Sequence, residues 1–183
     1  MILAFTHMSK APAVPRKQAP HARRASLHPV AQRVQEGRVG APPRTGRSHG
    51  AAFSDLLVDT DPQALIARTR SGVQAVVIRD LAALLHRPVA ELGLAIGLSR
   101  ATLARKIRSA ATLPLAESDR AVRYVRLWRL AVELWESDAA AAEWLTSPER
   151  ALGGETPLHH AETEVGARRV EQLIGQLEHG IAP

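Results

Sequence analysis

The chain contains no cysteine, which excludes disulfides and thiolate metal sites and fits a reducing, cytoplasmic setting. It has no apolar run long enough to cross a bilayer. Ile2-Leu3-Ala4-Phe5 is too short for the core of a signal peptide and no basic residue precedes it, so export is not expected. Aromatics are few, and all three tryptophans, Trp128, Trp135 and Trp144, fall in one short stretch. Also missing are a phosphate-cradling glycine loop, a cluster with metal-ligand spacing and a nucleophile–base pair in a supporting context. Glu162 and Glu164 are a spaced carboxylate pair, but acids in a first helical turn are normally partners of the helix dipole. An enzyme is therefore the class with least support, and no catalytic residue, metal or cofactor is expected.

What the chain does have is segregated charge. Its net +6 divides into +8 over residues 1–50, −3 over 51–64, +8 over 65–130 and −7 over 131–183. A basic middle beside an acidic end suggests two surfaces with different partners, the basic one suited to phosphate. Residues 1–52 hold many prolines and basic residues and few large apolar ones, so they bury too little surface to offset their ordering entropy and are expected to be a disordered tail. The tail also has the Arg-rich, acid-poor composition of an organellar transit peptide. A start codon placed too early, with Met8 the true one, is an equally open reading.

The folded part is expected from about Phe53. Asp61 before Pro62 caps a helix that runs through Leu65, Ile66 and Thr69 to Gly72. Val73–His86 reads as a second helix, with Val77, Leu81, Leu84 and Leu85 on one face. After Pro88 a third carries Val89, Leu92 and Ile96 to Gly97. Residues 97–108 then read as the turn and recognition helix of a helix-turn-helix. Gly97 supplies the left-handed turn, Leu98 plugs the core, Ser99 caps the next helix, and Gly93 permits a close helix crossing. On a wheel of about 100° per residue, Leu103, Ala104 and Ile107 point inward with Arg100 close to them, while Thr102, Arg105 and Lys106 point outward. Arginine can bond guanine O6 and N7, and threonine can meet a thymine methyl. Arg108, near the edge, suits phosphate. The DNA-binding set is thus Ser99, Thr102, Arg105, Lys106 and Arg108.

From Pro114 the longest helix is expected over Leu115–Trp135, with Val122, Val125, Trp128, Val132 and Trp135 recurring at three- and four-residue steps. Arg120, Arg123, Arg126 and Arg129 drift around it and are expected to pair with acids such as Asp119 or Glu133. The tryptophans read as core between this helix and a C-terminal cap. In the cap, Ser147-Pro148 and Thr156-Pro157 each place a hydroxyl cap before a proline, starting two short helices. Gly153-Gly154 ends the first. A final helix carries Val165, Val170, Leu173, Ile174 and Leu177 to Gly180. The fold class is all-α.

Taken in order, Glu117-Ser118-Asp119-Arg120, Trp144-Leu145, Leu152-Gly153-Gly154, Thr156-Pro157-Leu158, Gly166 and Glu178-His179-Gly180 resemble the Xre/MbcA/ParS family of toxin-binding antitoxins, over about residues 65–183. The resemblance implies an Xre-like helix-turn-helix bundle over 53–136, joined by the long helix to a small helical toxin-binding and dimerisation domain over 137–183. It implies a bacterial antitoxin of a type II toxin-antitoxin system. The toxin would have a RES domain and either degrade NAD or use it to ADP-ribosylate a target. The antitoxin would be a homodimer within a hetero-oligomeric complex and would repress its own promoter at operator DNA. Carried over to this chain, the toxin-binding set is Trp144, Leu145, Leu152, Thr156 and Pro157, with Gly153, Gly154 and Leu158 as further signature positions. Glu178, His179, Gly180, Ile181, Ala182 and Pro183 form a tail that covers the toxin's NAD pocket. The chain departs from the family at His159-His160-Ala161, where an acidic and then apolar residues are usual. The two histidines are expected to lie on the surface rather than to bind metal. The alternative is a stand-alone Xre-type transcriptional regulator, its C-terminal domain serving only dimerisation.

Overall fold

The computed structural model describes residues 50–58 and 61–180. Most of the basic tail expected over 1–52, and Ile181, Ala182 and Pro183, lie outside the described residues. These form helices α1 (Ala51–Val58), α2 (Pro62–Ser71), α3 (Val76–Leu84), α4 (Val89–Ala95), α5 (Arg100–Arg108), α6 (Leu115–Trp135), α7 (Asp138–Thr146), a 3-10 turn Arg150–Leu152, α8 (Pro157–His160) and α9 (Glu164–Glu178). The all-α expectation holds, with no strand among the described residues beyond an isolated bridge.

Local chemistry starts most of these helices. The Asp61 carboxylate accepts from the N–H groups of Gln63 and Ala64 at 3.2 and 3.1 Å, with Pro62 at the first helical position. Ser99 accepts from Thr102 N–H at 3.2 Å to open α5. Thr156 and Thr163 do the same for α8 and α9, through His159 N–H and Gly166 N–H. α1 begins slightly before the expected start, and its Phe53 is fully buried.

Three expectations are corrected. Val73–His86 is not one helix. Val73–Ala75 precedes the helix and pairs antiparallel with Ala111–Leu113 through a bridge between Gln74 and Thr112, Leu113 N–H reaching Val73 O at 2.7 Å and Ala75 N–H reaching Ala111 O at 3.0 Å, with Ala75 (φ −60°, ψ −22°) already turned into helical geometry. The apolar spacing suits a helix, but the competing partner is distant in sequence. Ser147-Pro148 does not start a helix. Ser147 closes α7 by donating its N–H to Trp144 O at 3.3 Å, and Glu149 caps the following 3-10 turn through Ala151 N–H at 3.3 Å. Val165, counted in the apolar face of α9, is 81% exposed, because at about 100° per residue it points well away from the buried face that Gly166, Ala167, Val170, Leu173 and Ile174 share.

Ser118 latches the antiparallel pair. Fully buried in α6, its hydroxyl donates to Leu113 O at 3.1 Å and accepts from Val73 N–H at 3.0 Å. Ser118→Ala leaves a buried N–H without that acceptor and is expected to destabilise the chain by about 2 kcal/mol in urea unfolding. An unshifted midpoint would show that the latch carries no stability.

α6, 21 residues and about 30 Å long, is the centre of the molecule. It packs against α1, α2 and α3 and also against α7 and α9. One apolar core runs from Phe53 to Ile174, through Leu81, Leu103, Leu127, Trp128, Trp144 and Leu173. The chain reverses between α6 and α7, where Glu136 has φ 50°.

Candidate nucleic-acid and partner interfaces

α4 and α5 cross closely because Gly93 has no side chain. A Cβ there would stand 2.7 Å from Leu103 Cδ2. Gly97, at φ 89°, makes the turn between them. Leu98, Leu103 and Ile96 fill the space behind, as expected for the plug and the inner face. Arg120 on α6 donates from Nη1 to Ile96 O at 3.0 Å, tying the turn to the central helix.

The outer face of α5 differs from the wheel in two places. Ala104, expected inward, is exposed, and so is Arg100. Leu103 and Ile107 alone supply the inner face, and Arg100 escapes burial as the first residue of the helix. Arg105 and Arg108 are also exposed, and Arg100, Arg105 and Arg108 form no ion pair with another described residue. Lys106 is half-buried, its ammonium donating to Thr112 O at 2.9 Å. Thr102 is half-buried too, its hydroxyl accepting from the Ser99 hydroxyl at 3.0 Å. The cations left for a polyanion are therefore the arginines.

Three of the α6 arginines pair with acids, as expected, whereas Arg120 bonds the Ile96 carbonyl instead. Arg129 meets Glu133 at 2.8 Å and Arg126 meets Glu171 at 2.6 Å. Arg123, 8% exposed, donates to Asp119 at 2.9 Å, to Glu164 at 3.1 Å and to the Glu162 carbonyl at 3.1 Å. It thereby joins α6 to the first turn of α9. Burial pushes the Glu164 carboxyl up, but Arg168, Arg126 and Arg123 outweigh it and hold the group below its ordinary 4.5. A depressed carboxyl favours the fold when ionised. Its contribution is therefore complete at neutral pH and declines on acidification from about 4.5 downward.

At the C-terminal end the expected partner residues divide into two kinds. Trp144, Leu145, Leu152 and Pro157 are buried, and Thr156 is consumed as the cap of α8. Trp144 Nε1 donates to Glu149 Oε2 at 3.2 Å, and its ring lies 6.2 Å from that of Trp135 at 52°. Glu149 holds the loop together, since its backbone carbonyl accepts from Leu152 and Gly154 N–H and its own N–H donates to Glu155 O. Sequence reading passed over Glu149. The signal was a buried indole N–H in need of an acceptor.

Among the exposed residues of this end are Gly153, Gly154, Glu155, His159, Glu178, His179 and Gly180. His159 Nδ1 lies 2.9 Å from Glu162, and His160 Nδ1 lies 2.8 Å from Glu155. Among the described residues no three His, Asp or Glu side chains group as a metal site, and no helix is long and apolar enough to cross a membrane.

Comparison with known proteins matches two successive regions of the chain. Residues 64–126 match the antitoxin Xre-like helix-turn-helix domain, and residues 130–180 match the antitoxin Xre/MbcA/ParS C-terminal toxin-binding domain. A protein named Antitoxin Xre from Yersinia enterocolitica serotype O:8 / biotype 1B is 34% identical over 118 residues, 64% of this chain and 80% of that one. Another of that name, from Photorhabdus laumondii subsp. laumondii, is 47% identical over 66 residues, 36% of this chain and 45% of its own length.

Proposed function

We propose a two-part activity from the fact that this chain belongs to the Xre antitoxin family: the C-terminal unit neutralises a toxin, and α4–α5 bind DNA. The observation that carries this reading is the succession of the two matched regions. They follow one another with residues 127–129 between them, and α6 runs through both.

The toxin is a RES-domain protein that degrades NAD or uses it to ADP-ribosylate a target. Residues 178–183 cover its active site. The net −7 of residues 131–183 complements the basic pocket that binding of NAD phosphates requires. The buried tryptophan loop holds the neighbouring surface in shape. The antitoxin works in the cytoplasm as a homodimer within a hetero-oligomeric complex, and its DNA partner is its own operator, which it represses.

Co-expression with the adjacent reading frame tests this reading. The neighbour alone is expected to stop growth and deplete NAD. This chain restores growth and copurifies with it, while a chain lacking residues 178–183 still copurifies but no longer protects. Full protection by the truncated chain removes the covering role. A harmless neighbour that does not copurify leaves the stand-alone regulator as the better account.

A further inference from the structure

At about 100° per residue, Ala101, Ala104, Arg105 and Arg108 fall within about 100° of one another, opposite Leu103 and Ile107. All four are exposed. The flank carrying Thr102 and Lys106 is engaged by Ser99 and by the Thr112 carbonyl. The outward stripe is thus two methyl groups and two guanidiniums that pair with no acid among the described residues. Small residues at 101 and 104 let the helix axis approach a groove floor closely. α5 also contains no Asn, Gln, Asp or Glu. The amide readout of adenine and the carboxylate readout of cytosine are therefore not available to it.

We propose that this stripe reads base identity directly, Arg105 and Arg108 each taking O6 and N7 of a guanine while Ala101 and Ala104 pack on thymine methyls. Arg100, at the start of the helix, takes a phosphate, and Lys106 braces α5 against the antiparallel pair instead of reading a base. This assigns Arg108 a base edge where the sequence pattern suggested phosphate. Arg105 and Arg108 are about 4.5 Å apart along the helix, little more than one base-pair step of about 3.4 Å, so the guanines lie on neighbouring or next-neighbouring pairs. The inference rests on the DNA-binding half of the proposed function and adds the base classes of the half-site.

The test is selection of bound duplexes from a random pool by the full chain, followed by affinity measurement on modified versions of the enriched duplex. The selected half-sites are expected to be rich in guanine and thymine. Replacing the contacted guanines by 7-deazaguanine is expected to weaken binding roughly 10-fold each. Uracil in place of thymine, which removes only the methyl, is expected to weaken it several-fold. Arg105→Ala and Arg108→Ala are expected to make binding insensitive to 7-deazaguanine at one position each, while keeping the wild-type melting temperature. Duplex binding with no enriched sequence, or enrichment indifferent to 7-deazaguanine and uracil, overturns the base assignment and leaves DNA binding standing. Absence of duplex binding at low salt overturns the DNA-binding reading itself.

Discussion

Gly166→Ala is expected to lower stability by about 3 kcal/mol in urea unfolding, although alanine is ordinarily the better helix former by about 1 kcal/mol. The sign reverses because a Cβ at 166 would run into the carbonyl of His160, a backbone atom, with the Thr163 hydroxyl 3.1 Å away. The carbonyl has little room to retreat. α8 is a single turn, fixed by the Thr156 cap, the buried Pro157 and the fully buried Ala161. Gly175→Ala, in the same helix, is the natural contrast. A Cβ there meets nothing within 4 Å, so this substitution is expected to raise stability by up to about 1 kcal/mol. If both substitutions shift the midpoint the same way, the close approach of α8 to α9 is not what fixes residue 166.

The second large effect is at Trp144, which is 0% exposed. Trp144→Ala empties the space beside Trp135 and withdraws a hydrogen-bond donor from Glu149, and is expected to cost about 4 kcal/mol. Trp144→Phe keeps most of the apolar contact and loses only the indole N–H, so it is expected to cost about 1–2 kcal/mol. If the Trp144–Glu149 bond organises the loop, a double-mutant cycle of Trp144→Phe with Glu149→Gln will show a coupling of about 0.5 kcal/mol or more. Full additivity would assign the loss to packing alone. Toxin capture, measured by copurification, should fall with the larger substitution, because residues 153–155 sit on the loop that Glu149 holds.

The sequence was most legible where a feature is completed by its near neighbours. Asp61, Ser99, Thr156 and Gly97 were readable because each cap or turn is made with residues at most three away. The long helix was readable from its apolar spacing, and the ordered signature residues pointed to the family that the comparisons then showed. Distant partners were not legible. The antiparallel pairing of Val73–Ala75 needs Ala111–Leu113, and nothing near Val73 announces it. Ser147 looked like a cap because serine before proline is a local signal, while Glu149, tied to an indole and to Glu155, outcompeted it. Ala104 shows a further limit: a small apolar residue suits either side of a helix, and only its neighbours in space decide. For the same reason the C-terminal signature positions were readable as important but not as buried.

α6 also bears on how such chains can be recombined. Arg123 and Arg126 reach across to Glu164 and Glu171, and Trp135 meets Trp144, while Arg120 and Ser118 on the same helix hold Ile96 and Val73. A crossover at residues 136–137 would pair the incoming α7–α9 with a helix shaped for other partners. A crossover ahead of α6 would instead strand the turn before α5. Neither end is a transferable cassette without α6 residues matched to it, so functional chimeras between relatives should be confined to pairs whose central helices carry the same two sets of contacts. Partner specificity and operator specificity would then diversify by substitution on the outer faces more readily than by exchange of halves.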